Sequence, residues 1–303
     1  MQHAMGSNAD LMAMSPSPGS EEGKAISMQL IDRGFDVWFT NNRATTYSRK
    51  YSKAEPWEQA YWDFSFDDYG KYDNVANMKY IYDYTGGKKV SYYGYSLGTT
   101  QAFYSLAKLE DEFFAEHAQA FALVAPCTIS EFELWPLFNR VFMTLFETID
   151  VHAFSGPYWY QDLPKLCKKF GKEACGALMM SAYLKDISFK TFFHQAQNTQ
   201  QRRFQEYSPT YWNVFSEAER ITPLIDLSKI KKVPVGMYVG ESDVTCPSAT
   251  AVEAKNQIGD MVKDFVIYPG AGHETFATKV DKEFADRIAN LLGYQPEDPM
   301  YVQ

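Results

Sequence analysis

The chain has 303 residues, of which 46% are hydrophobic and 22% charged, a globular composition far from the disordered range. A formal charge of -9 leaves no basic stripe to neutralise phosphates, which argues against a nucleic-acid partner. No apolar run approaches the roughly 18 residues that a membrane span needs, and the polar Gly/Ser/Pro-rich stretch from Met1 to Ala25 lacks the apolar region of a signal peptide. The high aromatic share, 16%, suits either a packed core or an apolar ligand pocket, and composition alone does not separate the two.

In chain order, Ala25 to Asp32 reads as a short helix stopped by Gly34, and Phe35 to Phe39 alternates with β-favouring residues as a strand. A polar, Arg-containing loop follows, from Thr40 to about Glu58. Asp67 to Tyr84 carries apolar positions at helical spacing (Tyr72, Val75, Ala76, Tyr80) and stops at Gly86-Gly87. Val90 to Tyr93 is a compact strand, Leu97 to Leu109 a helix of small and apolar residues, and Ala120 to Ala125 a buried strand closed by Pro126. That alternation predicts an α/β protein with a mostly parallel sheet covered by helices on both faces. The rhythm stops over 128–225, which is helical and aromatic. It resumes with strands at Val233–Val239 and Asp264–Tyr268 and a closing helix from Lys279 to Leu292. Residues 1–127 and 226–303 are therefore expected to form one core, interrupted by a helical cap over 128–225.

Gly94-Tyr95-Ser96-Leu97-Gly98 is a G-x-S-x-G between a predicted strand and a predicted helix. A sharp turn there exposes the serine, and the helix start aims backbone N–H groups at a developing oxyanion. A nucleophilic serine needs a base, and the base needs an orienting acid; in the fold that carries a G-x-S-x-G between strand and helix, the chain order is Ser, acid, His. Of His3, His117, His152, His194 and His273, only His273 sits in a Gly-rich loop after a late strand. Asp243 ends the Gly240-Glu241-Ser242-Asp243 segment after the preceding strand and is the expected acid, with Glu241 its competitor. Cys127, Cys167, Cys175 and Cys246 are too few for a disulfide scaffold and lack zinc-type spacing. Spacing leaves Cys167 and Cys175 equally open to a local bridge or to two free thiols, and Cys246 reads as a small buried residue beside the acid.

Further blocks carry a resemblance. Gly34-Phe35-Asp36-Val37-Trp38, Asn41-Asn42-Arg43 and Thr46-Tyr47-Ser48 resemble the G-Y-D-V-W-x-x-N-x-R-G-N-x-x-S block of the acid lipases, the gastric and lysosomal group of α/β-hydrolases. Tyr61 to Asp68 with Lys71-Tyr72-Asp73 is similar to that family's F-W-x-F-S-x-x-E/D…Y-D signature, and Phe193 to Gln197 and Phe204 to Tyr207 resemble its F-H-W-x-Q and F-x-x-Y/F-D elements. Gln2-His3-Ala4-Met5 falls where the family has Q-H-G-L. The match implies that Met5 and Leu97 supply the oxyanion N–H groups, although the family's glycine is Ala4 here and its G-H-S-Q-G elbow is G-Y-S-L-G. Arg43 and Trp38 are expected to tie the loop to the core rather than touch substrate. The resemblance further implies early strands that this chain lacks, with Met1 an internal start, and a bridge between Cys167 and Cys175 under oxidising conditions.

The implied activity is hydrolysis of neutral-lipid esters, triacylglycerols or steryl esters, through an acyl-enzyme on Ser96, with no metal or organic cofactor required. The implied setting is secreted or lysosomal. Within the cap, Leu134, Phe138, Val141, Phe142, Leu145 and Ile149 recur at helical spacing, as a lid face for a lipid interface or as a face packed on the sheet. Two other readings stay open: a catalytically impaired hydrolase that only binds an apolar ligand, and a carboxylesterase for short soluble esters.

Overall fold

The computed structural model describes residues 1–14, 24–50, 54–55, 58–131, 153–154, 187–209, 221–278 and 280–293. The strands are β1 (Val90–Tyr95), β2 (Ala118–Val124), β3 (Ala153–Phe154), β4 (Ile187–Ser188), β5 (Val235–Gly240) and β6 (Val262–Tyr268). The principal helices are α1 (Ile26–Ile31), α2 (Asn74–Tyr84), α3 (Leu97–Leu109), α4 (Phe189–Gln201), α5 (Ser248–Ile258) and α6 (Lys282–Leu291). β1, β2, β5 and β6 form a parallel sheet in that order, while β3 and β4 form a separate two-residue antiparallel ladder.

Alternation along the strands divides the core in two. Tyr92, Phe121, Leu123, Val235, Met237 and Val239 pack toward α3 and α5, whereas Tyr93, Tyr95, Ala120, Ala122, Val124 and Tyr238 pack toward α1 and α6. α3 is buried from Leu97 through Leu106, which accounts for its small and apolar composition. Among the described residues no helix is long and apolar enough to cross a membrane.

Two expectations are corrected. Phe35 to Phe39 forms no strand, and only Thr40 makes a bridge, to Gln2. A strand needs a partner ladder, and this segment meets one through a single bridge: Gln2 stands between Thr40 and Gly94, donating to Tyr93 O and accepting from Tyr95 N–H. The helical stretch from Phe66 to Tyr84 exists, but its buried face is Tyr69, Asn74, Met78 and Ile81. Tyr72 and Tyr80 are 49% and 62% exposed. A π-turn over Tyr69–Asp73 inserts a residue and rotates the stripe. Asn74 is drawn inward to donate to Ser105 Oγ and to accept from Gln101 Nε2.

The Leu134–Ile149 face and Cys167–Cys175 lie outside the described residues, as does most of 128–225. Described residues of 128–225 and of the loop before α2 dock on the Ser65–Asp73 stretch and its surroundings through side chains. Arg43 reaches Asp73 Oδ1 through Nε and Nη2 at 2.9 and 2.7 Å, tying the loop to the π-turn, and Trp38 packs edge-on against Tyr84. His194 of α4 stacks on Phe66 with centroids 3.8 Å apart, its Nε2–H donates to Gln205 O, and its Nδ1 accepts from Ser65 Oγ–H. Asp67 lies 3.8 Å from that ring and accepts from Tyr207 N–H.

Burial pushes the Asp67 carboxyl up to about 7 and the His194 imidazole down to about 3, so the two do not form an ion pair in the range between. Raised above its ordinary 3.8, Asp67 contributes stability that is full below pH 3.8 and is lost as pH rises through 7. Depressed from 6.5, His194 contributes stability that is full above pH 6.5 and is lost as pH falls through 3. The two slopes oppose each other, each about 1.4 kcal/mol per pH unit, and cancel across the shared window. Asp67→Asn keeps an acceptor for Tyr207 N–H and removes one slope. Its melting temperature, followed from pH 6.5 down to 4, should fall away steadily from that of the parent. Parallel curves would contradict this balance.

Candidate active site

Ser96 joins the carboxyl end of β1 to α3 with φ 55° and ψ -117°, a conformation costly for a residue other than glycine. Surroundings over-determine it. Its N–H donates to Val124 O at 3.0 Å, and its carbonyl accepts from Thr99 N–H and Thr99 Oγ1–H. The flanking glycines are required by close approach: a Cβ on Gly98 would stand 2.7 Å from Gln2 O and 3.1 Å from His3 O. Residues 2 and 3 therefore cross directly over the first turn of α3.

His273 lies beyond β6 and Asp243 beyond β5, both at the carboxyl end of the sheet beside Ser96. Ser242 N–H donates to Ala271 O at 2.9 Å, and a Cβ on Gly240 would come within 2.6 Å of the same oxygen, so only glycine lets the two loops meet. Asp243 Oδ2 accepts from His273 Nδ1–H at 2.7 Å, and His273 Nε2 accepts from Ser96 Oγ–H at 2.9 Å. The other carboxylate oxygen, Asp243 Oδ1, accepts from Thr245 N–H and Cys246 N–H at 2.9 and 2.8 Å. With its side chain wholly buried, Asp243 thus has a charge-assisted bond on each oxygen.

The competing residues stand elsewhere or make other bonds. Glu241 Oε2 accepts from Gly270 N–H and supports the histidine loop from outside. His3 is buried, with Nδ1 at Ala4 O and Nε2 accepting from Asn42 N–H, and burial lowers its pKa to about 4. His117 is bound to Phe113 O, and His152 lies outside the described residues. Leu97 opens α3, where its N–H has no acceptor within the helix. Met5 follows the segment that crosses Gly98 and packs, half-buried, against the same core cluster as Leu97.

Two features were not foreseen. Cys246 is no isolated small residue: it forms a disulfide with Cys127, 119 positions away. Such long-range pairing leaves no trace in local spacing. Tyr95, where the family has histidine, donates from its hydroxyl to His273 O at 2.9 Å, and its ring stacks 5.5 Å from the imidazole. Burial holds its phenol well above the usual range, so it keeps the proton it donates. The non-family residue in the elbow was the available signal. Asp243, Cys246 and His273 also bring one ligand atom each within 4.8 Å of one another. The sulfur is committed to the disulfide and the imidazole Nδ1–H to the carboxylate, so this donor set does not fit a metal ion.

A parallel sheet with a strained strand–serine–helix turn, meeting a histidine and an acid from later loops, defines a class. Residues 18–280 match the family model of the α/β hydrolase fold, and the chain belongs to that family. Its relatives lie among the lipases. It is 29% identical to gastric triacylglycerol lipase of Rattus norvegicus over 248 residues, which cover 73% of this chain and 62% of that one. It is 26% identical to human lipase member K over 283 residues, covering 83% and 69%. Against lysosomal acid lipase/cholesteryl ester hydrolase of Macaca fascicularis, identity is 35% over 113 residues, covering 37% and 28%. The chain thus spans only part of the length of these relatives. Among solved structures, the monoacylglycerol lipase of Paleococcus ferrophilus superposes with a TM-score of 0.54 at 14% identity, covering 97% and 93% of the two chains, which is a likeness of fold.

Proposed function

We propose that the chain is a carboxylic ester hydrolase that cleaves neutral-lipid esters, triacylglycerols or steryl esters, through an acyl-enzyme on Ser96. The observation that carries this reading is the unbroken hydrogen-bonded line from Ser96 Oγ through His273 to Asp243. Ser96 Oγ attacks the ester carbonyl as His273 Nε2 takes its proton. Asp243 fixes the imidazole with Nδ1 protonated and stabilises the imidazolium that forms. His273 then returns the proton to the leaving alcohol and activates the water that releases the fatty acid. The N–H groups of Leu97 and Met5 are assigned to the oxyanion, helped by the positive end of α3. Residues 128–225 act as the cap on a core of 1–127 and 226–303.

The lipid substrate is supported by the names of the relatives, gastric triacylglycerol lipase and lysosomal acid lipase/cholesteryl ester hydrolase among them. A secreted or lysosomal setting accords with those names and with a buried disulfide, which persists in oxidising compartments. Hydrolysis of p-nitrophenyl esters of increasing acyl length, together with emulsified trioleoylglycerol and cholesteryl oleate, tests the substrate class. Preference for long chains and a rise in rate as the substrate passes its solubility limit are expected. Turnover confined to soluble butyrate would replace this reading with a short-chain esterase.

Tyr95→Phe removes the bond to His273 O while leaving the ring stack. It should lower kcat about three- to tenfold with KM little changed, as expected for a lost neutral hydrogen bond of about 1 kcal/mol. Steady-state kinetics on one chromogenic ester would check it; an unchanged kcat would reduce the hydroxyl to a packing contact.

A further inference from the structure

The Cys127–Cys246 disulfide lies between the two halves of the site. On one side, Cys127 N–H donates to Thr99 Oγ1 at 2.9 Å, and Cys127 O accepts from Thr100 Oγ1–H at 2.6 Å. Both threonines belong to the first turn of α3, and Thr99 Oγ1–H also bonds the carbonyl of Ser96. On the other side, Cys246 N–H donates to Asp243 Oδ1 at 2.8 Å. The connection closes a ring: Ser96, Thr99, Cys127, Cys246, Asp243, His273 and back to Ser96 Oγ.

The ring ties the acid loop to α3, whereas Glu241 N–H to Tyr268 O and Ser242 N–H to Ala271 O tie that loop to the histidine side of the site. Asp243 follows the end of β5 in a turn without ladder partners, and its neighbour Val244 is 79% exposed. Glu131 N–H to Thr245 O at 2.9 Å runs beside the disulfide. The covalent bond fixes the loop against the segment that follows β2. Cys127, Cys246, Thr99 and Thr100 are all buried, so water does not replace the contacts if the link is lost.

We propose that the Cys127–Cys246 disulfide is a positioning crosslink that holds the Asp243 carboxylate in register with His273 and the Ser96 turn. The proposal rests on the hydrolase reading above. Cys127→Ser/Cys246→Ser tests it, with competent sites counted by fluorophosphonate titration so that misfolded protein does not enter the rate. Per competent site, kcat should fall at least about tenfold with KM nearly unchanged. A loosened carboxylate stabilises the imidazolium less, so the acid limb of the kcat/KM profile should move to lower pH. The low-field NMR signal of the His273 Nδ1 proton, bonded to Asp243, should broaden or disappear.

A crosslink that merely staples the fold would lower the melting temperature and leave the per-site kcat, the acid limb and the Nδ1 proton unchanged. That result overturns the proposal. Should the serine pair not fold, Cys127→Ala/Cys246→Val keeps the site apolar and is read in the same way. The NMR signal also separates the two claims. A parent chain that shows the Nδ1 proton but turns over no ester defeats the hydrolase reading, while loss or retention of that proton in the variant still decides the crosslink.

Discussion

His273→Ala is expected to lower kcat by about 10⁶-fold, and adding Ser96→Ala should lower it little further. Among the described residues Ser96 Oγ–H has one basic partner, His273 Nε2 at 2.9 Å. Without it the hydroxyl keeps its proton and is a poor nucleophile at neutral pH. The two residues act as a unit, so the loss of either removes nearly all that the pair supplies. The remaining acceleration comes from substrate binding and the N–H groups at the start of α3. Kinetics of the two single variants and the double variant form the check. Effects that multiplied would mean that Ser96 and His273 serve separate steps.

Asp243→Asn should retain the fold and lose about 10⁴-fold in kcat. The amide oxygen can still accept from Thr245 N–H and Cys246 N–H, the bonds that Asp243 Oδ1 makes now. The amide nitrogen then faces His273 Nδ1, where it donates instead of accepting. The imidazole is driven to the tautomer with its hydrogen on Nε2, which points a donor at Ser96 Oγ and leaves no base. An intact melting temperature with a collapsed kcat is the expected combination. Glu241→Gln serves as the comparison, since Glu241 supports Gly270 N–H from outside the site and should change kcat only a few-fold.

How far the sequence anticipates this structure depends on the range of the interaction. α3 runs over Leu97–Leu109, as the pattern of small and apolar residues predicts, because helix bounds are set within a few residues by the strained serine before it. Asp243 and His273 were legible because each follows a strong β pattern, and parallel strands bring their carboxyl ends to one side. The segment from Phe35 to Phe39 has strand composition, but among the described residues it meets the N-terminal residues through Met1 N to Trp38 O and the neighbouring Gln2–Thr40 bridge rather than through a ladder, and composition does not reveal a missing ladder. Tyr72 and Tyr80 looked like a buried face because a periodicity of 3.6 assumes an unbroken α-helix. The π-turn before Asn74 shifts that register. Cys127 and Cys246 were unreadable as a pair for the simplest reason: their meeting is a consequence of the whole sheet.

The most direct test of the central claim is labelling of the purified chain with a fluorophosphonate probe beside Ser96→Ala. The probe reports an activated serine independently of any choice of ester. Stoichiometric labelling of the parent at Ser96, absent from the variant, is the predicted result. A folded parent chain that takes up no label, or a Ser96→Ala chain that labels equally, would contradict Ser96 as the nucleophile.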